Sequence, residues 1–408
     1  MSGELRDAAT GGGTTRRDKR IVVACVCLIF AYPAIEMVSF FALTAIEIIR
    51  PRTFSATVDE IFARLDQSDL DAYFKGEYDP LLGWDNKPGT SFTEKNCLGE
   101  MWTESFGADG ARDTPRQFDT TLIATYGDSY LKGGEVDNDQ TWQYQLAQSL
   151  GQNVKNYAVG AYGSYQAVLK LKRHVAQGRV YPITLLGIHE QNVKRVVNLY
   201  RPFLYRRVSE KLAFKPGLGC KGDKCVPIGN LLQPDVNTIE AARRAALQAR
   251  RWDYWARTRP AYEFPWSLNV FKLVRLVVEE LTKTDHEPLW HAPEGMAAMD
   301  EVISEFRDVV IKAGSKPVVL FIPNSAKSGS HPSYLAYKQG ISARYPDLVV
   351  LDLSEAKFDV RRFRLKPANC HPSEYGHGVI ARTVGTGLSG LLPDTRQTGG
   401  APGDSNGR

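Results

Sequence analysis

Ser129 and His371 are the two residues whose side chains could carry out nucleophilic chemistry together. Ser129 lies in ATYGDSYLKGGE (124–135), where a short apolar run ends in Gly-Asp-Ser and glycines follow. A serine at such a turn is either a nucleophile or an ordinary turn residue. His371 lies in KPANCHPSEYGHGVIAR (366–382), directly before a Pro-Ser pair that would begin a helix. An imidazole displayed there could accept the serine proton as a general base.

The surrounding elements predict that both residues lie at one edge of a parallel sheet. The apolar runs typical of buried strands are TTLIATYG (120–127), VKNYAVG (154–160), YPITLLGIH (181–189), KPVVLFIP (316–323) and LVVLDLS (348–354). Helical stretches separate these runs, which favours a doubly wound α/β fold. Ligands of such folds bind beyond the carboxyl ends of the strands, and Ser129 directly follows the first strand. The loop before His371 follows the last strand and can lie on the same edge.

In this order, the sequence blocks resemble those of the SGNH/GDSL hydrolases, particularly the membrane-anchored extracytoplasmic members. YGDSY resembles the nucleophile block, NYAVGAYGSYQA (156–167) the second block and HPSEYGH the last block. The resemblance covers residues 77–90 and 120–385 and leaves an insertion unmatched. It implies a five-stranded, flavodoxin-like sheet, with Ser129 as the nucleophile and His371 as the base. We expect neither a cofactor nor a metal ion.

The resemblance also implies an oxyanion hole, and this chain departs from the family pattern there. The glycine of the second block falls on Ala161, whose backbone N–H can still donate if its φ is negative. The third block, G-x-N-D in the family, is GIHE here, with His189 in the place of the asparagine and Asn192 three residues further on. The backbone N–H groups of Ser129 and Ala161, with either His189 or Asn192, would therefore hold the oxyanion.

The family's orienting aspartate stands two or three residues before the histidine, where this chain has Ala368 or Asn369. No carboxylate is therefore expected beside His371. Asn369 could hold the imidazole through its carbonyl oxygen, as in Cys-His-Asn proteases, but it would stabilise the imidazolium less than a carboxylate does. We predict a Ser129–His371 dyad supported by Asn369, or a chain of low or lost activity.

Charged residues near the same sheet edge have two predicted roles. Asp128 is predicted to be structural and to fix the turn before Ser129. Arg195 and Arg201, in VKRVVNLYRPF, are candidates for binding an anionic or sugar group of the substrate. A plain surface role for the two arginines is the alternative.

Composition describes a globular chain with no sign of a nucleic-acid partner. The 408 residues are 43% hydrophobic and 24% charged, with a formal charge of +5. Much of this small excess lies in RRDKR (16–20) and in residues 242–259, and no basic patch interleaved with aromatic residues forms a recognisable binding module.

Residues 21–49, IVVACVCLIFAYPAIEMVSFFALTAIEII, predict a membrane span. The run is longer than the roughly 20 residues that cross a bilayer, although Pro33 and Glu36 interrupt it. Basic residues precede it, which favours a cytoplasmic N-terminus and an extracytoplasmic main domain. We predict an uncleaved signal anchor in the cell membrane, with Glu36 facing a partner helix or lying near the interface.

The predicted domain organisation has five parts. They are a disordered cytoplasmic arm (1–20), the anchor (21–49), a segment packing on the core (50–119), an SGNH-like domain (120–392) with an insertion at 200–295, and a disordered tail (393–408). Inside the insertion, SLNVFKLVRLVVEELTK (267–283) predicts a helix with one apolar face. We expect this helix to pack on the core, with a lid over the site or contact with the membrane as alternatives.

Four cysteines lie outside the apolar span, where an extracytoplasmic location permits disulfides. Cys220 and Cys225, in GCKGDKC, predict a small stapled loop, with half of a metal site as the alternative. Cys97 and Cys370 remain, and parity permits a bridge between them.

Three functions fit these observations. The first is an extracytoplasmic serine esterase or O-acyltransferase that acts, through an acyl-Ser129 intermediate, on an acylated small molecule, glycan or other envelope polymer. The second is a catalytically impaired binding or scaffold protein of the cell envelope. The third is a metal hydrolase built on His286, His291 and His377, which lack supporting ligands in the sequence.

Overall fold

The computed structural model describes residues 16–50, 53–76, 78–206, 210–235, 237–282, 287–324, 332–365 and 370–391. Most of the predicted arm, the predicted tail, Asn369 and His286 lie outside these ranges. The chain divides into two compact units. One contains the residues up to Thr57 together with Thr258–Thr282, and the other contains Val58–Arg257 and the residues from Lys283 onward.

The strands all belong to the second unit. In chain order they are β1 (Tyr78–Asp79), β2 (Gly83–Trp84), β3 (Ser91–Lys95), β4 (Met101–Ser105), β5 (Thr121–Tyr126), β6 (Asn153–Asn156), β7 (Ile183–His189), β8 (Gly217–Lys221), β9 (Lys224–Ile228), β10 (Lys316–Ile322) and β11 (Val349–Asp352).

Helices surround these strands. In chain order they are α1 (Arg16–Ile49), α2 (Val58–Phe62), α3 (Gln67–Lys75), α4 (Ser129–Lys132), α5 (Trp142–Leu150), α6 (Ser164–Ala176), α7 (Asn192–Val196), α8 (Arg201–Leu204), α9 (Ile239–Arg250), α10 (Tyr254–Thr258), α11 (Trp266–Thr282), α12 (Pro293–Lys312), α13 (Leu335–Arg344), α14 (Val360–Phe363) and α15 (Glu374–Gly387). Short 3₁₀ segments are Asn138–Gln140, Pro288–His291 and Leu353–Glu355.

The central sheet has the order β11-β10-β7-β5-β6, and its neighbouring strands are all parallel. Numbered along the chain, the five strands stand in the order 2-1-3-4-5, which is the flavodoxin-like arrangement. The predicted doubly wound α/β fold is therefore confirmed, and each of its strands corresponds to a predicted apolar run. The pattern was readable because a parallel sheet covered by helices is apolar on both of its faces.

Two helix pairs cover this sheet. Helices α5 and α15 pack together and contact β6 and β11, whereas α6 and α12 pack together and contact β7 and β10. Helix α5 begins after Thr141, whose hydroxyl accepts the N–H of Tyr144, and ends at Gly151 in the left-handed conformation. These local signals made the ends of α5 predictable from sequence.

Antiparallel hairpins and two disulfides complete the second unit. Strands β3 and β4 form one hairpin, and β8 and β9 form another in which Cys220 lies opposite Cys225. The Cys220–Cys225 disulfide closes this second hairpin, as predicted. A second disulfide joins Cys97 to Cys370 across 273 residues of sequence.

In the first unit, α1 and α11 pack together. By length and composition, Lys19–Ile49 of α1 could cross a membrane. The carboxylate of Glu36 accepts the backbone N–H groups of Trp266 and Ser267, so it caps the first turn of α11.

Helix α11 differs from the expectation that it packs on the core of the sheet domain, because it groups with α1. Its apolar face is solvent-exposed at Leu268, Phe271, Val274 and Leu281. The apolar periodicity predicted the helix and its face correctly. It could not identify what the face meets.

Candidate active site

Ser129 is presented by a sharp turn at the carboxyl end of β5. The strand ends at Tyr126, and Ser129 is the first residue of the four-residue helix α4. Asp128 caps this helix by accepting the N–H of Tyr130 at 3.0 Å. Gly127 allows the chain to turn here, because a Cβ at this position would lie 2.8 Å from the Leu131 side chain. The turn therefore places Ser129 at the edge of the sheet where the parallel strands end.

His371 lies beside Ser129 although 242 residues separate them in the sequence. Its Nε2 is 2.8 Å from Ser129 Oγ, which is hydrogen-bonding distance for a nucleophile and its base. The loop that carries the histidine is held by a bridge between Arg364 and Pro372 and by the N–H of Leu365, which donates to the His371 carbonyl at 3.1 Å. The two residues singled out from the sequence thus meet at one sheet edge.

Glu135 lies on the other side of the imidazole, and our expectation that no carboxylate would stand there is wrong. Its Oε2 is 3.0 Å from His371 Nδ1 and also accepts the His371 backbone N–H at 3.0 Å. The N–H of Cys97 donates to the same carboxylate. Glu135 therefore occupies the orienter's position that we assigned to Asn369, a residue outside the described ranges.

The sequence pattern did not indicate Glu135, because the family's orienting carboxylate stands next to the histidine, whereas Glu135 follows Ser129 by six residues. It ends the stretch ATYGDSYLKGGE. Two glycines precede it, and a Cβ at Gly134 would lie 3.3 Å from the His371 ring, so glycine leaves room for the imidazole there. Glu135 itself has φ +68°, a conformation rarely adopted by non-glycine residues. The sequence does not show that a glutamate adopts this conformation, so it could not identify Glu135 as the carboxylate beside His371.

Electrostatics favour an ionised Glu135. The hydrogen bond from His371 lowers the pKa of the Glu135 carboxyl below its ordinary value, and partial burial opposes this effect. A carboxylate at Nδ1 fixes the tautomer in which Nδ1 carries the proton, which leaves Nε2 free to accept the Ser129 proton. The three side chains therefore have the hydrogen-bonding geometry of a serine-hydrolase triad.

The Cys97–Cys370 disulfide lies directly beside this triad. Cys370 precedes His371 in the chain, and the two sulfur atoms lie within 4.8 Å of a Glu135 carboxylate oxygen. Because both sulfurs are bonded to each other, this group offers no thiolate ligands for a metal. The disulfide instead ties the base-bearing loop to the connection between β3 and β4.

The backbone N–H groups of Ser129 and Ala161, which we predicted to form an oxyanion hole, are both unused within the part of the chain that the structure describes. Among the described residues, neither the Ser129 N–H nor the Ala161 N–H donates a hydrogen bond to another group. The condition that we attached to Ala161 is not met, since its φ is +63° rather than negative. A left-handed alanine costs roughly 1–2 kcal/mol relative to an ordinary conformation. The surrounding structure therefore holds Ala161 in this strained backbone conformation.

His189 and Asn192, the alternatives for the third donor, have different environments. With its amide nitrogen facing the carboxylate, Asn192 donates to Asp128 Oδ2 at 3.3 Å and accepts the His189 backbone N–H at 3.2 Å. The His189 ring stacks on Tyr130 with centroids 3.9 Å apart, and both of its ring nitrogens are buried without a partner among the described residues. Burial, reinforced by nearby cations, holds the pKa of His189 well below its ordinary value. The ring is therefore neutral.

The two predicted substrate-binding arginines lie in different surroundings. Arg195 is paired with Asp128, with Nη1 3.0 Å from Oδ2, and its Nη1 also donates to the Tyr162 carbonyl. Burial raises the pKa of Asp128, and the charge of Arg195 opposes that shift. Arg195 therefore supports the turn that carries the nucleophile, as part of one network with Asp128 and Asn192.

Arg201 instead lines a cavity whose wall includes close neighbours in sequence of Ser129 and Ala161. The cavity has a volume of about 810 Å³, and its wall includes Trp84, Lys132 and Gly160. Lys132 is the last residue of α4, which begins at Ser129, and Gly160 directly precedes Ala161. The wall of the cavity thus includes a residue of helix α4, which begins at Ser129, and a residue of the loop that carries Ala161.

Comparisons with known proteins give similarity in structure only. No protein-family model and no curated protein sequence matches the chain. Among solved structures, a protein assigned to the lipolytic G-D-S-L family from Desulfitobacterium hafniense DCB-2 is 11% identical, with 66% of this chain and 100% of that chain covered and a TM-score of 0.33.

Two further solved structures show similar values. A protein assigned as an SGNH hydrolase from Slackia heliotrinireducens is 10% identical over 66% of this chain and 100% of that chain, with a TM-score of 0.32. A family two carbohydrate esterase from Clostridium thermocellum, in complex with cellohexaose, is 11% identical over 72% of this chain and 70% of that chain, with a TM-score of 0.33. The second unit has the five-stranded, doubly wound α/β sheet that the resemblance of the sequence blocks implied, with Ser129 after the first parallel strand and His371 after the last.

Proposed function

We propose that this protein is a serine ester hydrolase that works through an acyl-Ser129 intermediate. The observation that carries the proposal is the continuous arrangement of Ser129, His371 and Glu135, with 2.8 Å between hydroxyl and imidazole and 3.0 Å between imidazole and carboxylate. The turn before Ser129, the left-handed backbone of Glu135 and the Cys97–Cys370 disulfide all support this arrangement. A purely structural role for Ser129 would not require any of them.

The proposed reaction begins when Ser129 Oγ attacks an ester carbonyl carbon while His371 Nε2 takes the hydroxyl proton. The tetrahedral intermediate collapses, the C–O bond to the alcohol breaks, and His371 returns the proton to the leaving alkoxide. Water then attacks the acyl-Ser129 ester by the same route and releases the carboxylic acid. Glu135 remains ionised throughout and stabilises the imidazolium.

The oxyanion of each tetrahedral intermediate would be held by the backbone N–H groups of Ser129 and Ala161 and by a ring N–H of His189. We favour His189 over Asn192 because the Asn192 amide already bonds to Asp128 and to the His189 backbone. His189→Asn should keep most of the activity, since asparagine is the residue that the family pattern has there, whereas His189→Ala should lower kcat.

Location and acceptor are finer parts of the proposal. Helix α1 is long and apolar enough to cross a membrane, and the two disulfides suit an oxidising compartment. We therefore place the catalytic unit outside the cytoplasm, anchored to the cell membrane and acting on acyl groups of an envelope glycan. If a glycan hydroxyl reaches the acyl-enzyme before water does, the same intermediate transfers the acyl group.

The decisive experiment is covalent labelling of the full-length protein in detergent with a fluorophosphonate probe. Labelling should occur in the wild type, disappear in Ser129→Ala and weaken strongly in His371→Ala. Ser149→Ala, which removes an exposed serine of α5, is the matched control and should label normally. Labelling that survives Ser129→Ala would overturn the proposed nucleophile, and a wild type that never labels would favour the non-catalytic binding protein.

A further inference from the structure

The cavity that Arg201 lines carries an excess of positive charge. Its volume of about 810 Å³ lies within the range of small-ligand sites and leaves room for several sugar units. Its charged lining consists of the cations Arg64, Lys87, Lys132, Arg201 and Lys211 and the carboxylates Asp69 and Glu210. The lining is therefore cationic.

Hydrogen bonds connect the wall of the cavity to the loop that carries Ala161 (residues 158–162). Trp84 Nε1 donates to the Gly160 carbonyl at 3.0 Å, and the Tyr162 hydroxyl donates to the Trp84 carbonyl at 2.6 Å. Asn86 Nδ2 donates to the Ala158 carbonyl at 3.0 Å. A ligand that rests on this wall therefore contacts the same segment that presents the Ala161 N–H.

Aromatic side chains supply apolar contact surface inside the cavity. Trp84, Phe92 and Phe106 are among its lining residues. Aromatic faces of this kind accept the C–H face of a pyranose ring, while polar groups at the margin meet its hydroxyls. The cavity thus offers both an apolar platform and hydrogen-bonding groups, as a chain of sugars requires.

The cation that matters most is Arg201. Its guanidinium lies 5.7 Å from the centre of the Trp84 ring, and its carboxylate neighbour Glu210 is 3.6 Å away and more than half exposed. Burial lowers the pKa of Arg201, and Glu210 opposes that shift incompletely. Lys132, by contrast, is neutralised at 2.6 Å by the buried Glu104. Among the described residues, Arg201 is therefore a largely buried cation whose carboxylate partner, Glu210, faces water.

We propose that this cavity, on the wall shared by Gly160 and Arg201, binds anionic sugar units of the acylated polymer. The inference rests on the proposed function for the link to the ester, but the binding step does not depend on catalysis. A guanidinium pairs with either a carboxylate or a phosphate in a bidentate manner, so the shared chemistry is an anionic pyranose chain. Arg201 would pair with the anion, Trp84 would meet the ring, and an acyl group on that or a neighbouring unit would reach Ser129.

The test measures binding to full-length Ser129→Ala protein in detergent by isothermal titration calorimetry. The probes are a uronate hexasaccharide, the same oligomer with its carboxyl groups reduced to alcohols, and a phosphate-bearing oligosaccharide. We expect the two anionic oligomers to bind at least ten times more tightly than the neutral one, and the advantage to shrink as salt rises. Preference between the uronate and the phosphate oligomer then identifies the anionic group.

Variants locate the binding site. Arg201→Gln should lower affinity for the anionic oligomer at least tenfold and change affinity for the neutral one less than twofold, and Arg201→Lys should retain part of it. Lys211→Gln, on another part of the cavity wall, should lower anionic affinity without affecting the fold. Arg116→Gln removes the same charge from an exposed position outside the cavity and should leave affinity unchanged.

The outcomes separate this inference from the proposed esterase. Equal affinity for the anionic and neutral oligomers, or unchanged anionic affinity in both Arg201→Gln and Lys211→Gln, would overturn the anionic subsite. Selective anionic binding in a protein that a fluorophosphonate does not label would support the subsite and contradict the esterase. Labelling at Ser129 without anionic selectivity would do the reverse.

Discussion

Glu135 is the carboxylate that orients the proposed base, and its replacement tests the triad at a single atom pair. Glu135→Gln keeps the size and an oxygen acceptor but removes the charge that stabilises the imidazolium. We expect kcat to fall by about 10²–10⁴-fold with little change in KM, because the loss is confined to the transition state. Glu135→Asp should recover part of the rate. Steady-state hydrolysis of a short-chain aryl ester is the measurement.

The matched comparison is Asn369→Ala, which removes the side chain that the sequence pattern assigned to this role. If Glu135 orients the base, Asn369→Ala should hydrolyse the ester within a few-fold of the wild-type rate. A fast Glu135→Gln enzyme together with a slow Asn369→Ala enzyme would return the orienting role to Asn369.

The lowered pKa of Glu135 also predicts how stability depends on pH. A carboxyl group whose pKa is lower in the folded state than in the unfolded state stabilises the fold at pH values above its unfolded-state pKa, about 4.3. This stabilisation is lost as the pH falls through the folded-state pKa. The difference in free energy of unfolding between wild type and Glu135→Gln should therefore be constant above about pH 5 and narrow below about pH 4. Urea unfolding from pH 3.5 to 7 measures it, with the exposed Glu94→Gln as control. A difference that widened on acidification would contradict the assignment.

Ala161 allows a test of backbone strain separately from chemistry. With φ at +63°, alanine is strained where glycine is not, so Ala161→Gly should raise the urea midpoint or leave it unchanged. The backbone N–H remains, so esterase activity should persist. Ala167→Gly, in the interior of α6, is the control and should destabilise by about 1 kcal/mol. Loss of activity in Ala161→Gly with a normal fold would mean that the methyl group itself contacts the substrate.

The residues of the site show where prediction from sequence stops. Ser129 and His371 were predictable because each follows a strand whose apolar run is readable, and parallel strands bring their carboxyl ends to one edge. Glu135 was not, because its role depends on a left-handed backbone and on a loop more than 200 residues away. Our proposal of His189 rather than Asn192 rests on which side chain is already hydrogen-bonded, which the sequence does not show.

At the scale of elements, burial decides which strands can be predicted from the sequence. The five parallel strands were predicted because both of their faces are covered, which leaves a continuous apolar run. The β3–β4 hairpin was not, because β3 is exposed along almost its whole length and carries no alternating pattern. Cys97 lies in the turn of this hairpin, and its backbone N–H donates to the Glu135 carboxylate. An element that the sequence did not predict therefore contributes to the site.

The two disulfides provide a matched pair of elements. Cys97–Cys370 closes a loop of 273 residues beside the triad, whereas Cys220–Cys225 closes only a hairpin turn. Chain entropy alone predicts losses of roughly 6 kcal/mol for the first and about 2 kcal/mol for the second. We therefore expect the Cys97→Ser/Cys370→Ser protein to lose stability and, where it is still folded by circular dichroism, to lose kcat as well.

Only the first disulfide should affect the chemistry. The Cys220→Ser/Cys225→Ser protein should keep the wild-type kcat at temperatures where it is folded. Equal losses of kcat in the two double variants would mean that the Cys97–Cys370 bridge acts through global stability and not by positioning His371.

At the scale of the whole molecule, the unexplained surface is the apolar face of α11. Helix α11 packs with α1, the one helix in the described part of the chain that is long and apolar enough to cross a membrane. Its exposed Leu268, Phe271, Val274 and Leu281 would be costly in water and favourable against lipid. We therefore expect α11, in addition to α1, to contact the membrane.

Truncation separates the two helices. A protein that begins at residue 53 lacks α1 but keeps α11, so it should still float with phospholipid vesicles in a density gradient. Adding Phe271→Ser and Leu281→Ser should release it into the soluble fraction, because each buried side chain of this size contributes about 1.5–3 kcal/mol to membrane binding. Leu98→Ser with Val226→Ser, which changes two exposed apolar side chains of the second unit, is the control and should leave flotation unchanged. A truncated protein that stays soluble with α11 intact would mean that α1 alone holds this molecule at the membrane, and that the apolar face of α11 meets something other than lipid.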